Sequence, residues 1–174
     1  MAKRSILIHP DPRLKKVAAP VGAVTPEVQQ LARDMLDTMY DAPGIGLAAP
    51  QIGVSQRVIV MDCSTKDEAP QPEVLIDPEI CWRSEETNVH EEGCLSIPEQ
   101  FAEIERPAEV ELRWTALDGT AQQGHFEGLR ATYVQHEIDH LDGKLVIDHL
   151  GALRRQMITR KMTKLKRERE RARA

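Results

Sequence analysis

Two histidines four residues apart, with a glutamate directly after the first, have a type and spacing that could do chemistry. They lie in the stretch ATYVQHEIDHLDG, residues 131–143, as His136, Glu137 and His140. Positions i and i+4 of an α-helix share one face, so both imidazoles can reach one metal ion. Glu137 falls beside the same point and can take a proton from water there. The pattern is the HExxH motif and predicts a catalytic metal site.

A site of this kind needs a third protein ligand, and the sequence after the motif offers no good candidate. The extended motif HExxHxxGxxH would place it at Val146. A glutamate ligand would have to be Glu168, deep in a basic tail. We therefore expect the ligand upstream, at Cys94 in the stretch HEEGCLSIPEQ, residues 90–100. A thiolate binds divalent metals strongly. Three protein ligands would leave one coordination position open, which is typical of catalytic sites.

The glycine-rich stretch GIGLAAPQIG, residues 44–53, contains the pattern G-x-G-x-x-A of dinucleotide-binding proteins. In those proteins the pattern follows a strand and opens a helix. Here it follows a predicted helix and runs into Pro50 and Gly53. We therefore expect no dinucleotide. The glycines are better suited to a close approach of backbone to substrate.

Three short stretches together resemble one known family, peptide deformylase. They are GIGLAAPQ at 44–51, EGCLS at 92–96 and QHEIDH at 135–140, and they occur in the family's order. The stretch HPDPRLKKVAAPV at 9–21 is also similar to the family, so the resemblance covers nearly the whole chain. It implies a metal-dependent amide hydrolase that removes the N-formyl group from the N-terminal formyl-methionine of nascent polypeptides and releases formate.

The resemblance also implies a cofactor. One divalent metal ion would be held by Cys94, His136 and His140. Fe(II) would be the ion in the cell, with Zn(II), Ni(II) or Co(II) able to occupy the same ligands.

Other site residues follow from the resemblance, position by position. Glu137 would be the catalytic base, and the Gln51 side chain and the Leu95 backbone N–H would donate hydrogen bonds to the oxyanion. Phe101 would stand beside the substrate cleft. The residues expected to bind the methionine and the peptide are Ile45, Gly46, Glu92, Gly93, Leu129, Thr132 and Tyr133.

The elements that must position these residues can be predicted from local patterns. A helix begins after Thr25, a suitable N-cap, with Pro26 at its first position. A second helix covers about 129–141, and a third starts near 149 and runs into the basic tail. Strands are expected at 5–14, 57–62, 73–78, 108–117 and 121–128, with an Asp-Gly hairpin turn at 117–120.

These elements predict an α+β fold with mostly antiparallel sheets around a central helix that carries the HExxH motif, followed by a C-terminal helix. A length of 174 residues fits one domain. We expect residues 1–150 to form the catalytic metallohydrolase part and 151–174 to be a basic helix of the same domain.

Charge is unevenly distributed along the chain. Residues 154–174 hold ten Lys or Arg and two Glu, a net charge of +8, whereas the remainder carries −13. A basic tail on an acidic body suggests a polyanionic partner, which for a deformylase would be the ribosome. A solvated helix with no partner explains the charge equally well.

The remaining features limit the alternatives. Three cysteines without a secretion signal argue against disulfides, no apolar run approaches the ~20 residues of a membrane span, and we expect a cytoplasmic protein. A metallopeptidase cutting internal or N-terminal peptide bonds shares the HExxH motif but lacks the third ligand expected for it. An RNA-binding module with a structural metal is disfavoured by Glu137 and by the open coordination position.

Overall fold

The computed structural model describes residues 2–173, which form three α-helices and seven β-strands. The helices are α1 (Pro26–Asp41), α2 (Gly128–Leu141) and α3 (Ala152–Arg173). The strands are β1 (Gly46–Ala48), β2 (Val58–Met61), β3 (Glu73–Arg83), β4 (Thr87–Cys94), β5 (Ile97–Pro107), β6 (Glu109–Thr115) and β7 (Ala121–Glu127). The α+β class predicted from the sequence is confirmed.

The larger sheet has the order β1-β2-β3-β6-β7, and all its neighbours are antiparallel. The four strands expected at 57–62, 73–78, 108–117 and 121–128 are present as β2, β3, β6 and β7, although β3 continues to Arg83. The β6–β7 hairpin turns at Gly119, whose φ of 88° lies in the region that glycine adopts without strain.

A separate ladder of β4 and β5 was not expected from the sequence. Charged residues face each other across it, as in the pair Glu91 and Glu103. A register shift lies between Gly93 and Cys94, after which Cys94 still pairs with Ile97 across the two-residue turn at Leu95 and Ser96. The ladder thus delivers Cys94 and Leu95 to one point.

The strand predicted at 5–14 is wrong. The N–H of Leu7 donates to the carbonyl of Gln51, and the N–H of His9 donates to that of Ser96. Because the two acceptors belong to different segments, no ladder forms, and the prolines lead into a short 3₁₀ turn at Pro12–Lys15. The N-terminal segment instead lies beside both the glycine-rich stretch and the β4–β5 turn.

Helix α1 begins as predicted. Thr25 accepts a hydrogen bond from the N–H of Val28 at 3.3 Å, and Pro26 occupies the first position. Buried apolar residues of this helix pack with Leu47, Val58 and Val60 of the larger sheet. The helix therefore supports the strand that follows the glycine-rich stretch.

Helix α2 is buried on both sides. Ala131, Val134, Ile138 and Leu141 join the core of the larger sheet, which includes Phe126. The residues between them face the β4–β5 ladder and the glycine-rich stretch. The helix is therefore fixed by packing rather than by a cap.

Helix α3 starts three residues later than the predicted 149, after a 3₁₀ turn at Val146–His149. Its Ile158 and Met162 are buried in a cluster with Ile8 and Leu145. The basic residues of its last turns remain exposed. No helix among the described residues has the length and apolar composition that a bilayer crossing requires.

Asp34 on α1 anchors the start of the chain. Its carboxylate accepts hydrogen bonds from the N–H of Ala2 (3.0 Å), from Gln30 (2.8 Å) and from Arg4 (2.9 Å). The backbone hydrogen bond from Ala2, with those from Gln30 and Arg4, lowers the pKa of Asp34 to about 2 against the opposing effect of burial.

We expect Asp34→Asn to lower the free energy of unfolding at pH 7 by about 1 kcal/mol, since the partly exposed Arg4 is screened by water. A carboxyl group with a lowered pKa stabilises the fold above its unfolded pKa, so the deficit should shrink as the pH falls from about 4 towards 2. Urea denaturation between pH 2 and pH 7 measures it, with Asp37→Asn on the same helix as control. A deficit that stays constant over this range would contradict the prediction.

Candidate functional site

Cys94 at the end of β4 lies against two histidines of α2. Its Sγ is 3.4 Å from Nε2 of His140, and Nε2 of His140 is 3.3 Å from Nε2 of His136. One ligand atom of each residue lies within 4.8 Å of the other two. The structure therefore brings together the three ligands that the sequence predicts.

The donor set and its spacing fit a metal ion. With metal–ligand distances of about 2.3 Å to sulfur and about 2.0 Å to nitrogen, tetrahedral coordination separates two nitrogens by roughly 3.3 Å and sulfur from nitrogen by roughly 3.5 Å. The separations of 3.4 Å between Cys94 and His140 and of 3.3 Å between His140 and His136 agree with these values. A thiolate and two imidazoles suit Fe(II) and Zn(II) alike.

The ring of His136 is held in place by Glu92. Nδ1 of His136 lies 2.9 Å from Oε1 of Glu92, and because a carboxylate accepts, Nδ1 carries the hydrogen and Nε2 keeps its lone pair. Glu92 is fully buried and does not line the cleft; it lies behind His136.

Arg106 completes this buried network. It donates to both oxygens of Glu92, at 2.7 and 2.9 Å, and to Asp139 at 2.9 Å. Although burial opposes ionisation, the hydrogen bonds from His136 and Arg106 lower the pKa of Glu92. Arg106 belongs to none of the three motifs, so sequence reasoning missed it. Along the second half of β5 every second residue is buried, and the last of these buried positions carries a cation. This pattern was the only available signal.

Glu137 is buried beside the three ligands. Its Oε1 lies 4.0 Å from Nε2 of His140 and has no hydrogen-bond partner among the described residues. Burial raises the pKa of Glu137 to about 7, against the attraction of His136. A carboxylate with a pKa near neutrality is suited to accept and return a proton.

Gln51 is fixed by hydrogen bonds at both ends of its amide. Its Oε1 accepts from the N–H of Ala48 at 2.9 Å, and its Nε2 donates to the hydroxyl of Ser96 at 3.0 Å. The same Nε2 lies 3.7 Å from Sγ of Cys94. An amide nitrogen carries two hydrogens, and the second one points to this sulfur, beside the cleft. Leu95 lines the same cleft.

A cleft of about 650 Å³ contains the group. Of the seven residues expected to bind substrate, Ile45, Gly46, Gly93 and Tyr133 line it. Glu92, Leu129 and Thr132 do not line it: Thr132 is buried in α2, and Leu129 lies one turn before Tyr133. Phe101 lines the cleft and packs over Gly93, where a Cβ atom would lie 2.7 Å from the ring.

Gly46 lies against the carboxylate of Glu137. A Cβ atom at this position would lie 2.7 Å from Oε2 and 3.0 Å from Cδ of Glu137. Since contacts this short do not occur, Glu137 would have to move. The glycine is therefore required by a protein side chain, whereas the sequence suggested only a requirement of the substrate.

We expect Gly46→Ala to lower kcat/KM for the substrate that the sequence resemblance implies, a formyl-methionyl peptide, by roughly tenfold to a hundredfold, because about 1 Å of misplacement at a catalytic group has that effect. Bound metal should stay unchanged, since the three atoms nearest to the new methyl group all belong to Glu137 and none to Cys94, His136 or His140. Steady-state kinetics with metal analysis of the same sample measures both. Gly151→Ala, where a Cβ meets no atom within 4 Å, is the control. If Gly46→Ala kept wild-type activity, Glu137 would have moved without any effect on catalysis, and the prediction would be wrong.

Known proteins resemble this chain over nearly its whole length. The family described as polypeptide deformylase matches residues 3–156. A peptide deformylase of Rhodopseudomonas palustris (strain BisB5) is 54% identical over 166 residues, which cover 94% of this chain and 95% of the relative. The crystal structure of a peptide deformylase from Legionella pneumophila is 44% identical with a TM-score of 0.89, covering 98% of this chain and 99% of the other. The crystal structure of peptide deformylase from Ehrlichia chaffeensis in complex with actinonin is 34% identical with a TM-score of 0.92. The match covers 96% of this chain and 99% of the other.

Proposed function

The chain belongs to the polypeptide deformylase family and is a metal-dependent hydrolase that removes the N-formyl group from formyl-methionyl peptides, and we propose that Cys94, His136 and His140 hold its metal ion. The observation that supports this most directly is the convergence of one sulfur and two nitrogen atoms at tetrahedral spacing. We propose Fe(II) as the ion in the cell, with Zn(II), Ni(II) or Co(II) as substitutes. When bound, the ion polarises the formyl carbonyl and makes water more acidic.

Glu137 acts as the proton carrier. Its carboxylate takes a proton from the water whose oxygen adds to the formyl carbon. It then gives that proton to the nitrogen of methionine as the C–N bond breaks. The products are formate and a free methionyl N-terminus. Its burial and its pKa near 7 support both steps.

Gln51 and Leu95 stabilise the negative charge that develops on the formyl oxygen. Nε2 of Gln51 donates one hydrogen to Ser96, and its second hydrogen makes only a long contact of 3.7 Å to Sγ of Cys94, which it can exchange for the formyl oxygen. The N–H of Ala48 holds the amide oxygen in place. The N–H of Leu95, in the turn after β4, supplies the second donor. Donors held in place before the reaction need no reorganisation in the transition state.

The cleft receives the methionine and the peptide that follows it. Ile45, Gly46, Gly93 and Tyr133 form its walls. The other three residues expected to bind substrate lie outside the lining: Glu92 orients His136, and Leu129 and Thr132 precede Tyr133 on the same helix.

Helix α3 is, in this proposal, part of the same single domain as residues 1–150, and its basic residues dock the enzyme on ribosomal RNA. The burial of Ile158 and Met162 against Ile8 and Leu145 supports the first part. The exposure of its cations supports the second. Since the substrates are nascent chains, we place the enzyme in the cytoplasm.

The experiment that tests the function is formate release from an N-formyl-methionyl tripeptide. Protein prepared without oxygen, with metal content measured on the same sample, should release formate in proportion to bound metal. Folded, fully loaded protein that releases none would overturn the proposal. Cleavage of unformylated peptides would indicate the metallopeptidase alternative, which no observation of the structure favours.

The ribosome proposal needs point substitutions, because deletion of α3 would remove Ile158 and Met162 and expose Ile8 and Leu145, which they cover. We expect Arg155→Ala/Arg160→Ala/Lys164→Ala to lower ribosome affinity roughly tenfold or more and to flatten its salt dependence, since fewer counterions are released. All three residues are exposed, so turnover of a free formyl tripeptide should not change. Ribosome co-sedimentation over a range of salt concentrations measures the affinity. An unchanged affinity would exclude docking through this helix.

A further inference from the structure

The cleft that contains the reaction centre extends to the last turns of α3. Arg169 and Arg173 line it together with Gln51, His136 and Glu137. We propose that Arg169 and Arg173 form a subsite that favours acidic side chains in the substrate peptide, downstream of the formyl-methionine. This inference rests on the proposed function of the cleft and adds a selectivity to it.

The position of the two arginines is fixed by the packing of α3. They are four residues apart, so they share one face of the helix, and that face continues the stripe begun by the buried Ile158 and Met162. Thr159 contacts His9 at 2.8 Å on the same side. The stripe that anchors the helix to the body therefore ends in two cations at the edge of the cleft.

Both arginines have charge left for a ligand. The other cations of this wall are engaged: Lys3 pairs with Asp41 at 2.8 Å, and Arg4 pairs with Asp34 at 2.9 Å. Within residues 2–173, no carboxylate lies within 4.0 Å of the Arg169 or Arg173 guanidinium. A carboxylate on the substrate would meet two guanidinium groups that pair with no carboxylate of residues 2–173, and a guanidinium can bind a carboxylate in a bidentate manner.

Acidic residues elsewhere in the cleft make the preference depend on position. Glu91 and Glu99 also line the cleft, and Glu91 lies two residues before Gly93 at the catalytic end. An acidic side chain close to the methionine would be repelled there. Only one that reaches the α3 end would be favoured.

The N-terminal segment of the protein limits the position along the substrate peptide at which the two arginines can act. Ser5 and Ile6 line the cleft with the two arginines, and the next residue, Leu7, donates its N–H to Gln51. Because this segment lines the cleft between the arginines and Gln51, we expect the spacing from the reaction centre to the arginines to be on the order of three to six residues of extended chain, at about 3.3 Å each.

The test is a position scan with octapeptides that begin with formyl-methionine and carry a single Glu or a single Gln at each position from 2 to 8. We expect wild-type enzyme to prefer Glu by roughly threefold to tenfold in kcat/KM at one or two positions between 4 and 7, through KM, and to lose the preference at high salt. Arg169→Ala/Arg173→Ala should abolish the preference. Arg167→Ala/Arg171→Ala, with the same charge change on a face that borders a different groove, should retain it.

Two outcomes would overturn the inference. One is that the wild-type enzyme shows no preference for Glu at any position. The other is that both double variants lose the preference equally, which would mean that the overall positive charge of the helix causes it. Binding of dye-labelled Glu and Gln peptides to Glu137→Gln protein, followed by anisotropy, reads the preference without turnover. If no peptide were hydrolysed, the proposed function would fail while this binding test would still decide whether the arginines select acidic side chains.

Discussion

Glu137→Gln protein should fold, bind its metal ion and lose activity by roughly a hundredfold to ten-thousandfold. Glutamine keeps the size and shape of the side chain next to Gly46 but cannot take up a proton. Because Oε1 of Glu137 has no hydrogen-bond partner among the described residues, the substitution breaks no internal hydrogen bond of that atom. Stability should change little for the same reason.

Formate release and metal content on one sample measure the effect of Glu137→Gln. Glu127→Gln is a matched control, since Glu127 is exposed at the end of β7 and does not line the cleft. A metal-loaded Glu137→Gln enzyme that keeps a tenth or more of wild-type activity would mean that another group carries the proton. Loss of metal along with activity would assign Glu137 a part in holding the ion.

Arg106→Met should produce the largest loss of stability, about 3–5 kcal/mol in the free energy of unfolding. The substitution leaves the fully buried Glu92 without the cation that donates to both its oxygens. A loss of this size is a large fraction of the total stability of a domain, which is about 5–15 kcal/mol. Since Glu92 in turn orients His136, metal affinity should fall by roughly tenfold to a hundredfold.

Urea denaturation and competition with a metal chelator measure these two effects. Arg130→Met is the control: its bidentate pair with Glu73, at 2.6 and 3.0 Å, is partly exposed, and its loss should cost about 1 kcal/mol. Adding Glu92→Gln to Arg106→Met should recover part of the stability, because it removes the unpaired charge, but none of the metal affinity. Equal costs for Arg106→Met and Arg130→Met would refute the role of the buried network.

The sequence predicted the parts of the site that depend on short-range spacing. His136 and His140 come together because a helix places i and i+4 on one face. The start of α1 was predictable because Thr25 and Pro26 act within a single turn. Cys94 could be predicted as a third ligand from chemistry, because such a site needs one and a thiolate is a strong ligand, and the structure places its sulfur 3.4 Å from His140.

Contacts between distant segments could not be predicted in this way. The β4–β5 ladder was missed because β4 shows no alternation of apolar and polar residues, and the alternation in β5 is short and ends on Arg106. The partnership of Arg106 with Glu92 and Asp139 joins a strand pair to a helix, and no local pattern encodes it. The contact of Gly46 with Glu137 likewise spans most of the chain and depends on how β1 approaches α2.

The burial of α2 on both sides determines how this enzyme can vary. From Ala131 to Ile138 no position of the helix is exposed to solvent, because one side carries the core and the other carries the reaction centre. Neutral drift, which proceeds mainly at surface positions, has almost no room in this segment. A saturation library should therefore show an unbroken block of intolerance over these residues, in which losses of abundance at Val134 and Ile138 alternate with losses of turnover at His136 and Glu137. Variation between relatives should accumulate instead on the outer face of α3 and in the exposed parts of the β4–β5 ladder.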